Sequence, residues 1–269
     1  MCIYNIQPHA PVPNEPGLFL FISMEKKRPT EQVYGMYTAQ DFAVWRTLFE
    51  RQMVLLEKYG SRHFLDALKQ TGFCAGEIPR FSRLNQRLQR LTGWQVSVVP
   101  GLVPAVEFFE LLSQRIFPAT CWLRQPEQID YIEEPDMFHD VFGHVPLLCN
   151  RDFAGFLEAF GTLGVACCDD PERTALLSTL YWFSVEFGLI REGGETKVWG
   201  AGIVSSPGEV LHAVHPNSKR LDFRVEEVVQ TSYRTDQLQQ CYFEIREMAD
   251  LGRMLTEVRD LLPKMAGVI

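Results

Sequence analysis

Pro135-Asp136-Met137-Phe138-His139-Asp140-Val141-Phe142-Gly143-His144-Val145-Pro146 is the stretch on which the reading of this chain turns. Two histidines, His139 and His144, stand five positions apart in apolar surroundings, with a glycine just before the second and a proline shortly after it. On an α-helix that interval leaves the side chains roughly 140° apart, whereas an i, i+4 pair shares a face. The spacing therefore predicts a helix that Gly143 ends in a left-handed conformation. Pro146 then stops the helix restarting, and His144 swings back beside His139. Spacing alone leaves two readings open, a metal-binding pair or buried imidazoles bonded to carbonyls.

A third residue bears on that choice. Leu176 to Ile190, Leu-Leu-Ser-Thr-Leu-Tyr-Trp-Phe-Ser-Val-Glu-Phe-Gly-Leu-Ile, is apolar nearly all round and holds one carboxylate, Glu186. It reads as one long helix that starts at Asp170-Pro171 and ends at Gly193-Gly194, with Gly188 inside it marking a close backbone approach. A carboxylate in such a helix is costly unless a cation or several donors compensate it. Either a base such as Arg191 or Lys197 pairs with it, or Glu186 joins His139 and His144 as a facial triad. Such a triad leaves open positions on a non-haem Fe(II).

Composition describes an ordinary globular chain of 269 residues, 46% hydrophobic and 12% aromatic, able to bury one large core or at most two small ones. A net charge of -8 and a pI near 5.3 argue against nucleic acid and anionic membrane as main partners. Seven cysteines without a C-x-x-C pair read as reduced thiols, and hence as a cytoplasmic protein. The early apolar run Leu18 to Met24 is far shorter than the roughly 20 residues of a membrane helix. It follows Pro11, Pro13 and Pro16, so residues 1–30 are expected to form an irregular arm and residues 31–269 a single domain.

Along that domain the expected fold is mainly α with a few short β-strands. Thr38 and Asp41 stand at capping-box spacing ahead of Phe42, Trp45, Phe49 and Met53, and Ser61 and Gly72 bracket a second helix. Arg80, Arg83, Arg87 and Arg90 form the wet side of an amphipathic helix rather than an anion site. Trp94 to Val99 reads as a strand, and a helix starting near Pro104 carries Phe108 and Phe109, adjacent aromatics of the usual core kind. Arg124, in Trp-Leu-Arg-Gln-Pro, either clamps a carboxylate through two parallel bonds or pairs with a neighbouring acid. Asp152 to Gly164 is expected to be helical, Lys197 to Val204 a strand, and Asp236 to Leu262 an amphipathic helix. His212 and His215 lie before Pro216-Asn217 and read as part of a surface turn.

Taken in order, Pro135-Asp136 leading to His139, Gly143-His144-Val145-Pro146, Tyr181-Trp182-Phe183-Ser184-Val185-Glu186-Phe187-Gly188, Gly200-Ala201-Gly202 with Ser205-Ser206, and Gly208-Glu209 resemble the pterin-dependent aromatic amino acid hydroxylases. The likeness runs from about residue 35 to 250 and is nearest to the short bacterial members acting on phenylalanine. It implies the single-domain catalytic fold of that family and a monooxygenase that hydroxylates L-phenylalanine to L-tyrosine with O2, a tetrahydropterin and Fe(II).

By the same resemblance, His139, His144 and Glu186 fall on the iron ligands, and Arg124 and Ser205 on the groups holding the amino acid's carboxylate. Pro135, Trp182 and Phe187 fall on the walls around its ring, with Asp136 and Gly202 in the same motifs. Phe108 matches the ring that stacks on the pterin, whose edge bonds backbone near Val103. Asp140 stands where animal members have a glutamate bonded to pterin through water, and Tyr181 faces the same pocket. Ile132 replaces a threonine that animal relatives carry near the substrate's amino group. The animal regulatory domain and assembly helix have no counterpart here, so a monomer without a substrate-activation switch is expected.

Rival readings are a tyrosine or tryptophan hydroxylase of the same family, a zinc hydrolase, or a non-enzymatic metal-dependent binding protein. Trp182 suits the phenylalanine and tyrosine branches better than the tryptophan branch. Zinc peptidases usually place glutamate directly after the first histidine of an i, i+4 pair, whereas Asp140 follows the first of an i, i+5 pair.

Overall fold

The computed structural model describes residues 28–265, with side chains through residue 262. Nearly all of the expected N-terminal arm therefore lies outside the described residues. Where the description begins, the Arg28 guanidinium lies over the Trp122 ring at 3.5 Å and pairs with Glu134 at 2.8 Å.

The first half is helical for reasons local to its sequence. Helix α1 (Ala39–Tyr59) opens with both halves of a capping box, Thr38 Oγ1 accepting from Asp41 N–H and the Asp41 carboxylate accepting from Thr38 N–H. Its buried stripe is Trp45, Leu48, Gln52 and Leu56, flanked by half-buried Phe42, Phe49 and Met53. Helix α2 (Arg62–Thr71) is capped by Ser61 and ended by Gly72 at φ +71°. In helix α3 (Phe81–Leu91) Leu84 and Leu88 are buried while Arg83, Arg87 and Arg90 face outward. Arg80, just before it, lies over the Tyr34 ring.

Strand β1 (Gln95–Val98), helix α4 (Ala105–Ser113) and strand β2 (Ile116–Ala119) form a parallel βαβ unit. Helix α5 (Arg151–Cys167) packs on α4, and helix α6 (Pro171–Tyr181) follows, capped by Asp170. Next come strands β3 (Gly188–Glu192) and β4 (Glu195–Val198) and helices α7 (Ala201–Val204) and α8 (Pro207–Ala213). Strand β5 (Lys219–Asp222), helix α9 (Val225–Val228), strand β6 (Cys241–Ile245) and helix α10 (Asp250–Met265) complete the chain. A four-stranded sheet runs in the order β4-β3-β6-β5, with β3 antiparallel to β4 and parallel to β6. Buried apolar side chains form one contiguous cluster through both halves. No helix among the described residues is long and apolar enough to cross a membrane.

Three sequence expectations are corrected in this second half. The long helix expected to carry Glu186 and run on to Gly193-Gly194 is α-helical to Tyr181 and π-helical through Glu186, where it ends, and Gly188-Leu189-Ile190 is the buried start of β3. A short continuous apolar run has no period that separates a buried strand from a buried helix. Gly193 and Gly194, at φ +60° and +86°, do not end a helix but turn the β3–β4 hairpin, a two-residue loop that requires two left-handed residues. The strand expected over Lys197 to Val204 ends at Val198, and Ala201–Val204 is helical. The C-terminal helix expected from Asp236 begins only at Asp250, because Cys-Tyr-Phe-Glu-Ile pairs with β3 and β5 as the interior strand β6.

Candidate active site

His139 and His144 do lie side by side, but not by a left-handed break at Gly143. Residues Phe138–His144 form a π-helical segment, and Val145–Cys149 continue as a 3-10 helix with Pro146 in its first turn. A π turn closes between i and i+5, so an interval that separates side chains on an α-helix brings them together here. Gly143 keeps a right-handed backbone; its lack of a side chain serves a close approach instead, since a Cβ there would stand 3.0 Å from the Ala201 carbonyl.

The third candidate arrives by the same device. Trp182–Glu186 form a second π segment at the end of α6, closed by Phe187 N–H donating to the Trp182 carbonyl at 2.9 Å. Glu186 Oε1 then stands 3.2 Å from His144 Nε2, Glu186 Oε2 3.7 Å from His139 Nε2, and the two Nε2 atoms 3.3 Å apart. One potential ligand atom from each of the three residues lies within 4.8 Å of the others, deep in the protein.

Electrostatics fits a metal set better than an ion pair. Burial pushes the His139 imidazole down to about 4 against the attraction of Glu186, so at neutral pH it is uncharged and its lone pair is available. Burial raises the Glu186 carboxyl, but His144, His139 and the Gly202 N–H outweigh it and hold the group below its ordinary value, ionised. Glu186 Oε1 has no hydrogen-bond donor among the described residues. A buried carboxylate facing two imidazoles is completed by a cation, and neutral imidazole with carboxylate is the donor set of non-haem Fe(II) sites.

Supporting groups orient this set. Ser205 Oγ–H donates to the Ala201 carbonyl at 2.7 Å, so at 3.0 Å Ser205 Oγ accepts from His139 Nδ1–H, which leaves Nε2 free for the metal. His144 lies between the rings of Phe117 and Tyr181, with centroids 5.0 and 6.3 Å away. Tyr181 is buried, its hydroxyl unpartnered among the described residues, and it meets Phe108 edge-on at 5.4 Å. Phe108 is itself fully buried beside Phe109.

Asp140 Oδ2 accepts from Thr120 N–H (2.7 Å) and hydroxyl (2.9 Å). Burial pushes its carboxyl up to about 7 against those two bonds, and Oδ1 is unpartnered among the described residues. Arg124 and Asp136 form a buried bidentate pair, Nε to Oδ2 and Nη2 to Oδ1 both at 2.8 Å. Asp136 also accepts from the backbone N–H groups of Arg124 and His139, which ties this pair to the first π segment. Burial raises the Asp136 carboxyl, yet the Arg124 charge and these bonds hold it below the ordinary carboxylate range.

Trp182 and Phe187 pack together at 4.5 Å, and a Cβ on Gly202 would stand 2.8 Å from the Phe187 ring. Pro135 and Val103 are buried, and among the described residues neither has a hydrogen bond to the triad. His212 Nε2 bonds the Gln239 carbonyl, so it is engaged away from the triad.

Sequence reasoning passed over Thr120, which holds Asp140, and Gln239, whose Oε1 accepts the Trp182 indole N–H at 2.8 Å. Neither stands in a motif, and their partners are 20 and 57 positions away. Glu209, read only as part of Gly208-Glu209, is fully buried, with Oε1 accepting from Gln239 N–H and Tyr242 O–H while Oε2 has no partner among the described residues. Burial raises its carboxyl despite those bonds. A carboxyl raised on folding adds stability below its unfolded value near 4.5 and loses it as pH rises through the folded value. Glu209→Gln, which cannot ionise, should therefore gain on the parent protein as pH rises from 4.5 to 8, read as a growing difference in urea midpoint. A pH-independent difference would mean that Glu209 keeps an ordinary affinity for protons.

A buried His-His-carboxylate triad on π-helical turns, set among aromatic rings, is the ligand arrangement of a mononuclear metal enzyme. The profile of the family described as biopterin-dependent aromatic amino acid hydroxylase matches residues 22–268. Phenylalanine-4-hydroxylase of Ralstonia nicotianae is 46% identical over 222 residues, 82% of this chain and 71% of that protein. Phenylalanine hydroxylase of Chromobacterium violaceum with bound oxidized Fe(III) matches at a TM-score of 0.84 and 40% identity, covering 90% of this chain and 88% of that one. A second structure of that enzyme, with bound iron(III) and oxidized cofactor 7,8-dihydrobiopterin, matches at 0.80 and 40% identity over 87% of both chains. This chain belongs to the biopterin-dependent aromatic amino acid hydroxylases.

Proposed function

We propose that this protein is a phenylalanine 4-monooxygenase, converting L-phenylalanine to L-tyrosine with O2 and a tetrahydropterin at Fe(II). The observation that carries the reading is the buried His139-His144-Glu186 triad in a chain 46% identical to a protein named phenylalanine-4-hydroxylase. Bound ferrous iron and the reduced pterin together supply the activation of dioxygen, one oxygen atom going to the amino acid ring and the other to the pterin.

The chain's own residues hold, orient and exclude. His139, His144 and Glu186 would hold the iron, and three protein ligands would leave positions on it for exchangeable ones. Ser205 fixes the His139 tautomer. Arg124, already oriented by Asp136, has guanidinium N–H groups left to meet the substrate carboxylate, which the family likeness also assigns to Ser205. Pro135, Trp182 and Phe187, with Gly202 behind Phe187, wall the ring. Phe108 and the backbone near Val103 take the pterin, and Asp140 and Tyr181 supply polar groups on the same side. The residues act by positioning the reactants and keeping bulk water away.

Six described cysteines, all unpaired, favour a cytoplasmic enzyme, and the acidic net charge favours small molecules over nucleic acid as partners.

The test is incubation of the iron-loaded protein with O2, tetrahydropterin and phenylalanine, tyrosine or tryptophan in competition. Tyrosine should form from phenylalanine with matching pterin oxidation. Product from tryptophan or tyrosine alone would move the protein to another branch of the family, and no pterin-dependent product from any of the three would remove the activity.

A further inference from the structure

Between α9 and β6 the chain is irregular, and in the stretch 230–240 Gln239 is the one fully buried residue. All four of its polar groups are engaged. Its side-chain Nε2 donates to the Arg234 carbonyl at 2.9 Å, folding the segment back on itself. Its backbone N–H donates to Glu209 Oε1 at 3.1 Å, and its carbonyl accepts from His212 Nε2 at 3.0 Å, which moors it to α8. Its Oε1 is left for the indole N–H of Trp182, at 2.8 Å.

The same segment reaches Trp182 a second time. The Tyr233 ring stacks on the indole at 4.6 Å and 20°, while Phe187 lies against it at 4.5 Å and 40°. A buried indole has one N–H to satisfy, and a single fixed acceptor sets the rotation of the whole ring. We infer that Gln239 and Tyr233 are a positioning pair that sets the tilt of the Trp182 indole and thereby selects the aromatic side chain the enzyme accepts. This inference rests on the proposed function, which makes Trp182 a wall of the ring pocket. Neither residue touches the reacting atoms in this account; both act through Trp182.

A strut behind a substrate wall should act on substrate KM and preference more than on kcat or pterin KM. Leucine at 239 keeps the volume and removes the acceptor. In the iron-loaded enzyme, Gln239→Leu should raise the phenylalanine KM about tenfold, change kcat less than about threefold and lower the phenylalanine-to-tryptophan kcat/KM ratio at least about fivefold. In a Trp182→Phe background, which has no indole N–H, the same substitution should change these values less than about twofold.

Equal effects in both backgrounds would overturn the inference, because Gln239 would then only brace its own loop. Tyr233→Leu, at a half-buried position, should shift preference in the same direction and serves alone if Gln239→Leu does not fold. Unchanged preference in that variant would overturn the inference on its own, while the parent enzyme continued to form tyrosine. A parent enzyme that hydroxylates no aromatic amino acid would instead overturn the functional reading, and this inference with it.

Discussion

Glu186→Gln is expected to lose iron and tyrosine formation together, with coupled turnover falling by at least about 100-fold, since even partners behind metal ligands typically contribute 10–100-fold. Glutamine keeps the shape of the side chain but offers a neutral amide where the two imidazoles and an ionised carboxylate converge. The metal-free protein should lose much less. There the two imidazoles and the Gly202 N–H hold the carboxyl below its ordinary value, so an amide that cannot ionise gives up some stability at neutral pH and the apo Tm should fall only slightly. Iron content by elemental analysis, turnover with phenylalanine, and the apo Tm are the three measurements. Full iron content with full turnover would take Glu186 out of the ligand set. Lost iron with an equally lost apo fold would make it a structural residue first.

How much of this site can be read from sequence depends on which physical constraint each part obeys. Caps are local, so Thr38-Asp41 marked the start of α1, and Ser61 and Gly72 marked both ends of α2. The awkward interval between His139 and His144 was legible as a conflict with α-helical geometry. Its resolution was not, because a π segment carries no composition signal and is stabilised by what the widened turn touches, here α7 through Gly143 and Ala201.

Glu186 was legible as the single charge in an apolar run, although the same run hid the change from helix to strand two residues later. The segment Cys241–Ile245 was read as helix because its strand identity comes from being sandwiched between β3 and β5, contacts set by residues far away in sequence. Motif likeness drew attention to Arg124, Trp182 and Ser205. It could not reveal that Arg124 is clasped by Asp136, or Trp182 by Gln239, since those pairings depend on the tertiary arrangement.

Asp136→Ala carries the second large expected effect, and it falls on the fold before it reaches the chemistry. The Arg124 side chain is 6% exposed and that of Asp136 not at all, so the pair has given up its water. Removing the acid leaves a buried guanidinium without its two 2.8 Å acceptors, a change that typically costs about 3–5 kcal/mol. For a chain of this size that corresponds to a fall in Tm on the order of 10 °C.

Arg124→Met should cost less, because the abandoned carboxylate keeps the backbone N–H groups of Arg124 and His139 and can take up a proton, whereas a guanidinium cannot lose one. The double variant should be milder than the sum of the two, since each substitution removes the partner that makes the other harmful. Urea denaturation of all four proteins measures this cycle. If Asp136→Ala costs less than about 1 kcal/mol, the pair behaves as a solvated surface bridge and Arg124 is not pre-oriented by burial. If the cost is large and the two substitutions add without coupling, Asp136 acts through the His139 N–H and the first π segment, and the metal site rather than Arg124 depends on it.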